Sequence, residues 1–120
     1  MDKNKNRRQL IFEKYDGRCA YCGCELQKGW HEDHIEPIIR SLKDNTCERP
    51  ENNNINNLNP SCRSCNIQKN SYTLEQFRRN ISQFVNSLNK YSTQYKFAKK
   101  YGLVSETEIE VKFYFEKSNQ

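Results

Sequence analysis

The chain has 120 residues, enough for one hydrophobic core and too few for two. Hydrophobic residues make up only 34%, mean hydropathy is −1.10 and asparagine fills fifteen positions, so the core is thin and needs a staple, a metal or disulfides. No apolar run nears the ~20 residues of a membrane span, and residues 1–8 offer no apolar stretch for a signal peptide, which disfavours a membrane or secreted protein. The net charge of +5 is uneven: residues 1–30 carry +3, 31–72 carry −1, 73–104 carry +5 and 105–120 carry −2. Two basic segments thus flank a slightly acidic middle that holds both histidines. That layout suits a polyanion held over an acidic, metal-binding centre; it equally suits ordinary solvated surface.

In chain order, residues 7–15 read as a short helix with Leu10, Ile11 and Tyr15 inward, stopped by Asp16-Gly17. A cysteine turn follows, and residues 30–35 are strand-like up to Pro37. Residues 41–54, polar and rich in asparagine, form a loop, and 55–58 a second short strand. Ser61 or Ser64 caps a helix covering 65–70. Thr73-Leu74-Glu75-Gln76 is a capping box that opens an amphipathic helix over 74–89, with Leu74, Phe77, Ile81, Phe84, Val85 and Leu88 on one face. Tyr91, Tyr95, Ala98 and Tyr101 mark another helix, closed by Gly102. Over 108–116 the sequence alternates, with Ile109, Val111, Phe113 and Phe115 on one side, which predicts a half-buried strand. The chain reads as α+β.

Six cysteines in so short a chain form either three disulfides or a metal site. Spacing favours the metal. Cys19-Ala20-Tyr21-Cys22 and Cys62-Arg63-Ser64-Cys65 are two C-x-x-C turns, each presenting two thiolates at the separation a tetrahedral Zn²⁺ takes. The 39 residues between Cys22 and Cys62 exceed a simple finger's loop, so a substructure sits between the knuckles. Cys24 is an alternative ligand that breaks the matched spacing, and Cys47 lies in the polar loop.

That substructure holds Asp33 and His34 at a strand end, with Asn66 on the helix after the second knuckle. A carboxylate and an amide oxygen leave most of a cation's shell open, which suits Mg²⁺ or Mn²⁺, and the adjacent imidazole supplies a base of suitable pKa. Neighbouring strand residues point to opposite faces, so Asp33 and His34 need a twist or bulge to share one site. His31 falls on the face of Asp33 and is a further candidate ligand.

These residues resemble the HNH endonucleases of the zinc-knuckle ββα-metal (His-Me finger) fold, especially small phage and prophage members. Gly17-Arg18-Cys19-Ala20-Tyr21-Cys22-Gly23 is similar to the family's entry into its first knuckle, and Asp33-His34-Ile35-Glu36-Pro37 to its D-H-I-x-P signature. Asn57-Leu58-Asn59-Pro60-Ser61-Cys62-Arg63-Ser64-Cys65-Asn66-Ile67-Gln68-Lys69 is similar to its N-L-x-x-x-C-x-x-C-N-x-x-K signature. The resemblance covers residues 17–69; with the first helix it gives a core over 1–72, and for residues 89–120 pattern alone completes a basic helical extension over 73–120 that ends in a strand and packs on the same domain. The resemblance implies that His34 is the general base, that Asp33 and Asn66 hold one Mg²⁺ or Mn²⁺ against the scissile phosphate, and that Asn57 positions the loop that orients His34. Cys19, Cys22, Cys62 and Cys65 would bind structural zinc, and Lys69 a phosphate. Two departures stand out: Asn66 occupies a position where many members have His, and the loop after Pro37 is longer than the family's usual turn.

The function expected is metal-dependent hydrolysis of double-stranded DNA, by nicking or double-strand cleavage, with weak sequence preference. Arg78, Arg79, Lys90, Lys96, Lys99 and Lys100 would meet the DNA backbone. One such site cuts one strand, so double-strand cleavage needs a homodimer or two encounters; a phage or restriction partner protein is also compatible. The resemblance and the need for reduced thiols place the chain in the cytoplasm. A non-catalytic zinc-ribbon module for nucleic acid would keep the cysteines and the basic flanks but has no use for Asp33, His34, Asn57 and Asn66 together. A protein-interaction zinc domain that adds its 108–116 strand to a partner's sheet is the third reading.

Overall fold

Asn6 opens the first helix, α1 (Arg7–Glu13), by accepting from the Gln9 amide while the Gln9 side chain returns to the Asn6 N–H. The helix stops at Glu13, two residues sooner than periodicity predicts, because Asp16 and Gly17 turn the chain at positive φ. Gly17 is required twice over: its φ is +79°, and a Cβ there would lie 2.9 Å from the Phe12 ring. The computed structural model describes residues 6–40, 47–48 and 50–118.

Strand β1 (His31–His34) is followed by β2 (Ile39–Arg40) and β3 (Cys47–Glu48), which pair with each other antiparallel, and then by β4 (Leu58–Ser61). The second strand of the site therefore begins where the sequence reading ends it; residues 55–57 are a 3₁₀ turn, and another covers 50–52. Of the expected loop, residues 41–46 and 49 lie outside the described residues. β1 and β4 run antiparallel in the register His31↔Ser61, Glu32↔Pro60, Asp33↔Asn59 and His34↔Leu58. All four β4 residues are buried, since α1 packs against the strand and Ala20 N donates to Pro60 O at 2.8 Å. Arg7 and Arg8 tie α1 to β1 through Glu32.

Helix α2 (Arg63–Lys69) is capped by a sulfur atom: the Cys62 Sγ accepts from Cys65 N, a role the sequence reading gives to Ser61 or Ser64. The Thr73–Gln76 capping box forms as expected and opens α3 (Leu74–Ser82). The helix expected over 74–89 is then divided, with α4 (Phe84–Tyr91) beginning after Gln83. Asn80, Ser82 and Gln83 weaken the junction; the Ser82 hydroxyl donates to Arg79 O, drawing that carbonyl into a side-chain bond. Ser92 caps α5 (Thr93–Lys100), which ends before Gly102.

The C-terminal segment departs most from expectation. Residues 104–113 form no regular element and pair with no strand among the described residues, and α6 (Tyr114–Ser118) replaces the end of the expected strand. Glu116 explains the switch. Its carboxylate accepts from Phe113 N at 2.8 Å, the reach-back of a helix N-terminus. Tyr114 N and Phe115 N then donate to Tyr21 O and Ala20 O, hooking the segment onto the first cysteine turn. Phe113 stacks on Phe77 at 5.2 Å between ring centres, and Tyr21 meets both rings edge-on. This aromatic cluster with Cys19 is a core of the molecule.

Arg78 locks the hook. Its guanidinium donates to Val111 O, both Glu116 oxygens and both Glu75 oxygens, and lies over the Phe113 ring. The Glu116 carboxyl is held below its ordinary pKa by that contact. α4 and α5, in contrast, bury no side chain. The radius of gyration is 17.5 Å, against roughly 14 Å for a compact chain of this length.

Phe113→Ala is expected to cost about 3–5 kcal/mol, the range for truncating a buried aromatic. Urea denaturation of the zinc-loaded protein measures it; a cost below about 1 kcal/mol would mean that the hook does not belong to the core.

Candidate functional site

The two cysteine turns meet. Cys19 and Cys22 sit on a turn fixed by Cys19 N→Cys24 O and Gly23 N→Cys19 O, while Cys62 and Cys65 bracket the first turn of α2. Their four sulfur atoms lie within 4.8 Å of one another, with Cys22 and Cys62 at 3.9 Å. A tetrahedral zinc with bonds of ~2.3 Å sets sulfurs ~3.8 Å apart, so the four-cysteine set fits a structural metal such as zinc. A hydrogen bond from Cys65 draws the Cys19 thiol down to about 4, while Cys65 itself is pushed far up and burial raises Cys62. Four thiolates so close repel, and a divalent cation is what lets all of them ionise.

Cys24 stands outside this set; its side chain is largely exposed, and partial desolvation beside Cys22 and Cys62 pushes its thiol up to about 12. The side chain of Cys47 lies outside the described residues. Cys19→Ser is expected to abolish stoichiometric zinc and unfold the domain, whereas Cys24→Ser keeps both zinc and fold. Metal analysis of the dialysed proteins, read beside circular dichroism, checks the pair; zinc lost from Cys24→Ser would give that residue a ligand's place.

A second site lies at the end of β1. Asp33, His34 and Asn66 line one cleft of about 190 Å³, together with Pro37 and Asn70. The β1–β4 ladder passes both strand residues in unbroken register, without the bulge expected there. Asp33 consequently turns inward and is buried, while His34, the last strand residue, stays half-exposed.

The Asp33 carboxylate is tightly held. Its Oδ2 accepts from the Tyr21 hydroxyl at 2.5 Å and faces the Lys69 ammonium at 3.2 Å. Burial pushes the carboxyl up from its ordinary pKa, against the pull of Lys69 and Tyr21. Burial and the adjacent Asp33 push the Tyr21 phenol up too, so it remains a donor. Lys69 is wholly buried and also donates to His34 O at 2.7 Å and Tyr72 O at 3.2 Å. The expectation that Lys69 meets a phosphate therefore fails: its charge stabilises the interior and has no path to solvent.

Arg78 likewise is engaged by Glu75 and Glu116 and does not offer a free cation, while Arg79 remains exposed. Asn57 binds the chain after β1 on both sides, with Oδ1 accepting from Glu36 N and Nδ2 donating to Glu36 O and Asn52 O. Ile35 N adds a bond to Asn57 O. Asn66 is half-buried on α2, and its side chain has no hydrogen bond among the described residues. His31 is exposed and does not line the cleft.

Sequence reasoning missed two members of the site. Tyr21 stands in the sequence only as a spacer of the first C-x-x-C turn, with nothing to mark its hydroxyl. Asn53, whose Oδ1 lies 3.1 Å from His34 Nε2, is hidden among neighbouring asparagines.

Comparisons of this chain with family models, with curated proteins and with solved structures found no match.

Lys69→Met leaves the Asp33 carboxylate buried without its counter-charge and is expected to cost about 3–5 kcal/mol. Tyr21→Phe, which removes one donor, should cost about 1–3 kcal/mol. Denaturant titration of both variants, with Asp33→Asn/Lys69→Met as the rescuing pair, measures the coupling. Additive losses would show that the two charges do not support each other.

Proposed function

We propose that the chain is a metal-dependent endonuclease of the HNH type, with a zinc-stapled ββα-metal core, that hydrolyses phosphodiester bonds of double-stranded DNA. The observation that carries this reading is the convergence of Asp33, His34 and Asn66 on one cleft beside a four-cysteine centre. The cleft thus brings together a residue with a base, a residue with a buried, lysine-paired carboxylate and a residue with an amide oxygen, a set that suits hydrolysis of a phosphate ester better than passive binding.

His34 is the base in this scheme. With Asn53 Oδ1 accepting from Nε2–H, the Nδ1 lone pair is left to take a proton from the attacking water. Asn57 and Lys69 hold the main chain that leaves His34, Lys69 through the His34 carbonyl and Asn57 through Glu36. The oxygen donors of Asp33 and Asn66 fit a hard cation such as Mg²⁺ or Mn²⁺, and Lys69 already offsets the Asp33 charge, so the cation would be held weakly until phosphate oxygens complete its shell. When bound, it would supply positive charge against the scissile phosphate. Exposed Arg79 is the member of the Arg78–Arg79 pair suited to a backbone phosphate.

One observation favours a second reading, a zinc-stapled DNA-binding module without catalysis: Asp33 is buried and engaged by Tyr21 and Lys69. Supercoiled plasmid separates the two. The expected result is relaxation in Mg²⁺ or Mn²⁺, none in EDTA, and a loss of about 10²–10⁴-fold in His34→Ala, the range for removing a general base. Wild type and His34→Ala that both shift duplex DNA on a gel, yet leave plasmid intact in every metal, would establish the binding module instead.

A further inference from the structure

Helix α5 gives the fold no buried side chain, yet it carries aromatic rings. Phe97 and Tyr101, one turn apart, are 49% and 75% exposed. They lie nearly parallel, with 6.2 Å between ring centres and 16° between planes. Parallel rings that a fold leaves in water form a platform on which a further flat group can stack.

Positive charge edges this platform. Lys96, Lys99 and Lys100 line one hollow of about 330 Å³ together with Asn89 of α4. Lys100 belongs to hollow and platform alike, since its Nζ stands 5.0 Å from the centre of the Phe97 ring. The rings and the lysines therefore share one surface. Lys99 is engaged within the chain, paired with Glu106 at 3.0 Å and donating to Asn89 Oδ1. The Glu106 carboxylate also accepts from Asn89 and Tyr95, so the acid at this surface is itself occupied. Lys96 and Lys100 are exposed and make no ion pair among the described residues.

An occupant has to bring flat faces to the rings and negative charge to the lysines, side by side. Duplex DNA brings the charge, but its base faces are closed within the stack. An acidic peptide brings the charge without a flat face beside every acid. An anionic membrane takes a helix with a continuous apolar band, and Thr93–Lys100 holds no leucine, isoleucine, valine or methionine. A single-stranded nucleic acid repeats a base face and a phosphate in every nucleotide, and its unpaired bases are free to stack. We propose that α5 is a binding surface for single-stranded nucleic acid, Phe97 and Tyr101 stacking unpaired bases while Lys96 and Lys100 hold the adjoining phosphates. The surface is independent of the catalytic reading, since none of its residues lines the cleft.

Fluorescence anisotropy of labelled oligothymidine with the full-length, zinc-loaded chain tests it, without Mg²⁺ or Mn²⁺ so that cleavage plays no part. Phe97→Leu/Tyr101→Leu keeps the apolar bulk and removes the π-faces. It should weaken the single-strand complex at least about tenfold, within the range for loss of a stacked base, and leave affinity for duplex DNA unchanged. Lys96→Ala/Lys100→Ala should flatten the plot of log affinity against log salt by about 1.4, roughly 0.7 for each of two phosphate contacts. Zinc content and circular dichroism report that the variants fold. A wild type that leaves oligothymidine unbound, a leucine variant that binds it as tightly as wild type, or a salt slope unmoved in the lysine variant would each overturn the surface. So would a chain that sediments with phosphatidylserine vesicles but ignores oligothymidine, which would give the rings to a membrane.

Discussion

One buried ammonium organises the site. Lys69 reaches the Asp33 carboxylate, the His34 carbonyl and the Tyr72 carbonyl from the last turn of α2, with no exposure to solvent. A lone charge in such a place would be prohibitive; here a carboxylate and two carbonyl oxygens replace its hydration. At the other end of the same helix stand Cys62 and Cys65. A seven-residue helix has little stability of its own, so α2 is held from its two ends, by sulfur at the first and by the ammonium at the last. Asn66 lies between, and its position in the cleft follows from those two tethers.

The opposite side of the cysteine centre is closed by the chain's distant end. Tyr114 and Phe115 bond to the main chain of Tyr21 and Ala20, while Phe113 fills the space against Phe77 and Tyr21. Tyr21 therefore faces two ways. Its ring belongs to the aromatic core, and its hydroxyl belongs to Asp33. Packing of the C-terminal segment and orientation of the carboxylate are joined through one side chain.

Much of this was legible in the sequence. The paired C-x-x-C spacing identified the four sulfurs. Lys69 was not legible, because lysine is among the residues least often buried and only three-dimensional partners reveal an exception. The helix over 74–89 was overextended because periodicity records a face without recording what covers it; Phe77 finds the core, while Phe84 and Leu88 do not. Alternation over 108–116 misled for a related reason. Phe113 and Phe115 do pack inward, but Glu116 and Arg78 turn the chain into a helix where a strand would need a neighbour.

The hook also bears on how distant parts of the chain stay joined. The residues it joins are more than ninety positions apart, so this contact has one of the longest sequence separations the chain allows. Once a metal joins the two cysteine turns, the path between hook and turn is about half as long. That shortening is worth only about 0.6 kcal/mol in loop-closure entropy, so it does little to speed the closure. The larger effect is on the surface docked against: Tyr114 and Phe115 bond to main chain at Tyr21 and Ala20 that is presented only while the cysteine turn holds its shape. The latch is thus coupled to the cysteine turn: whatever frees the main chain at Ala20 and Tyr21 also frees the hook.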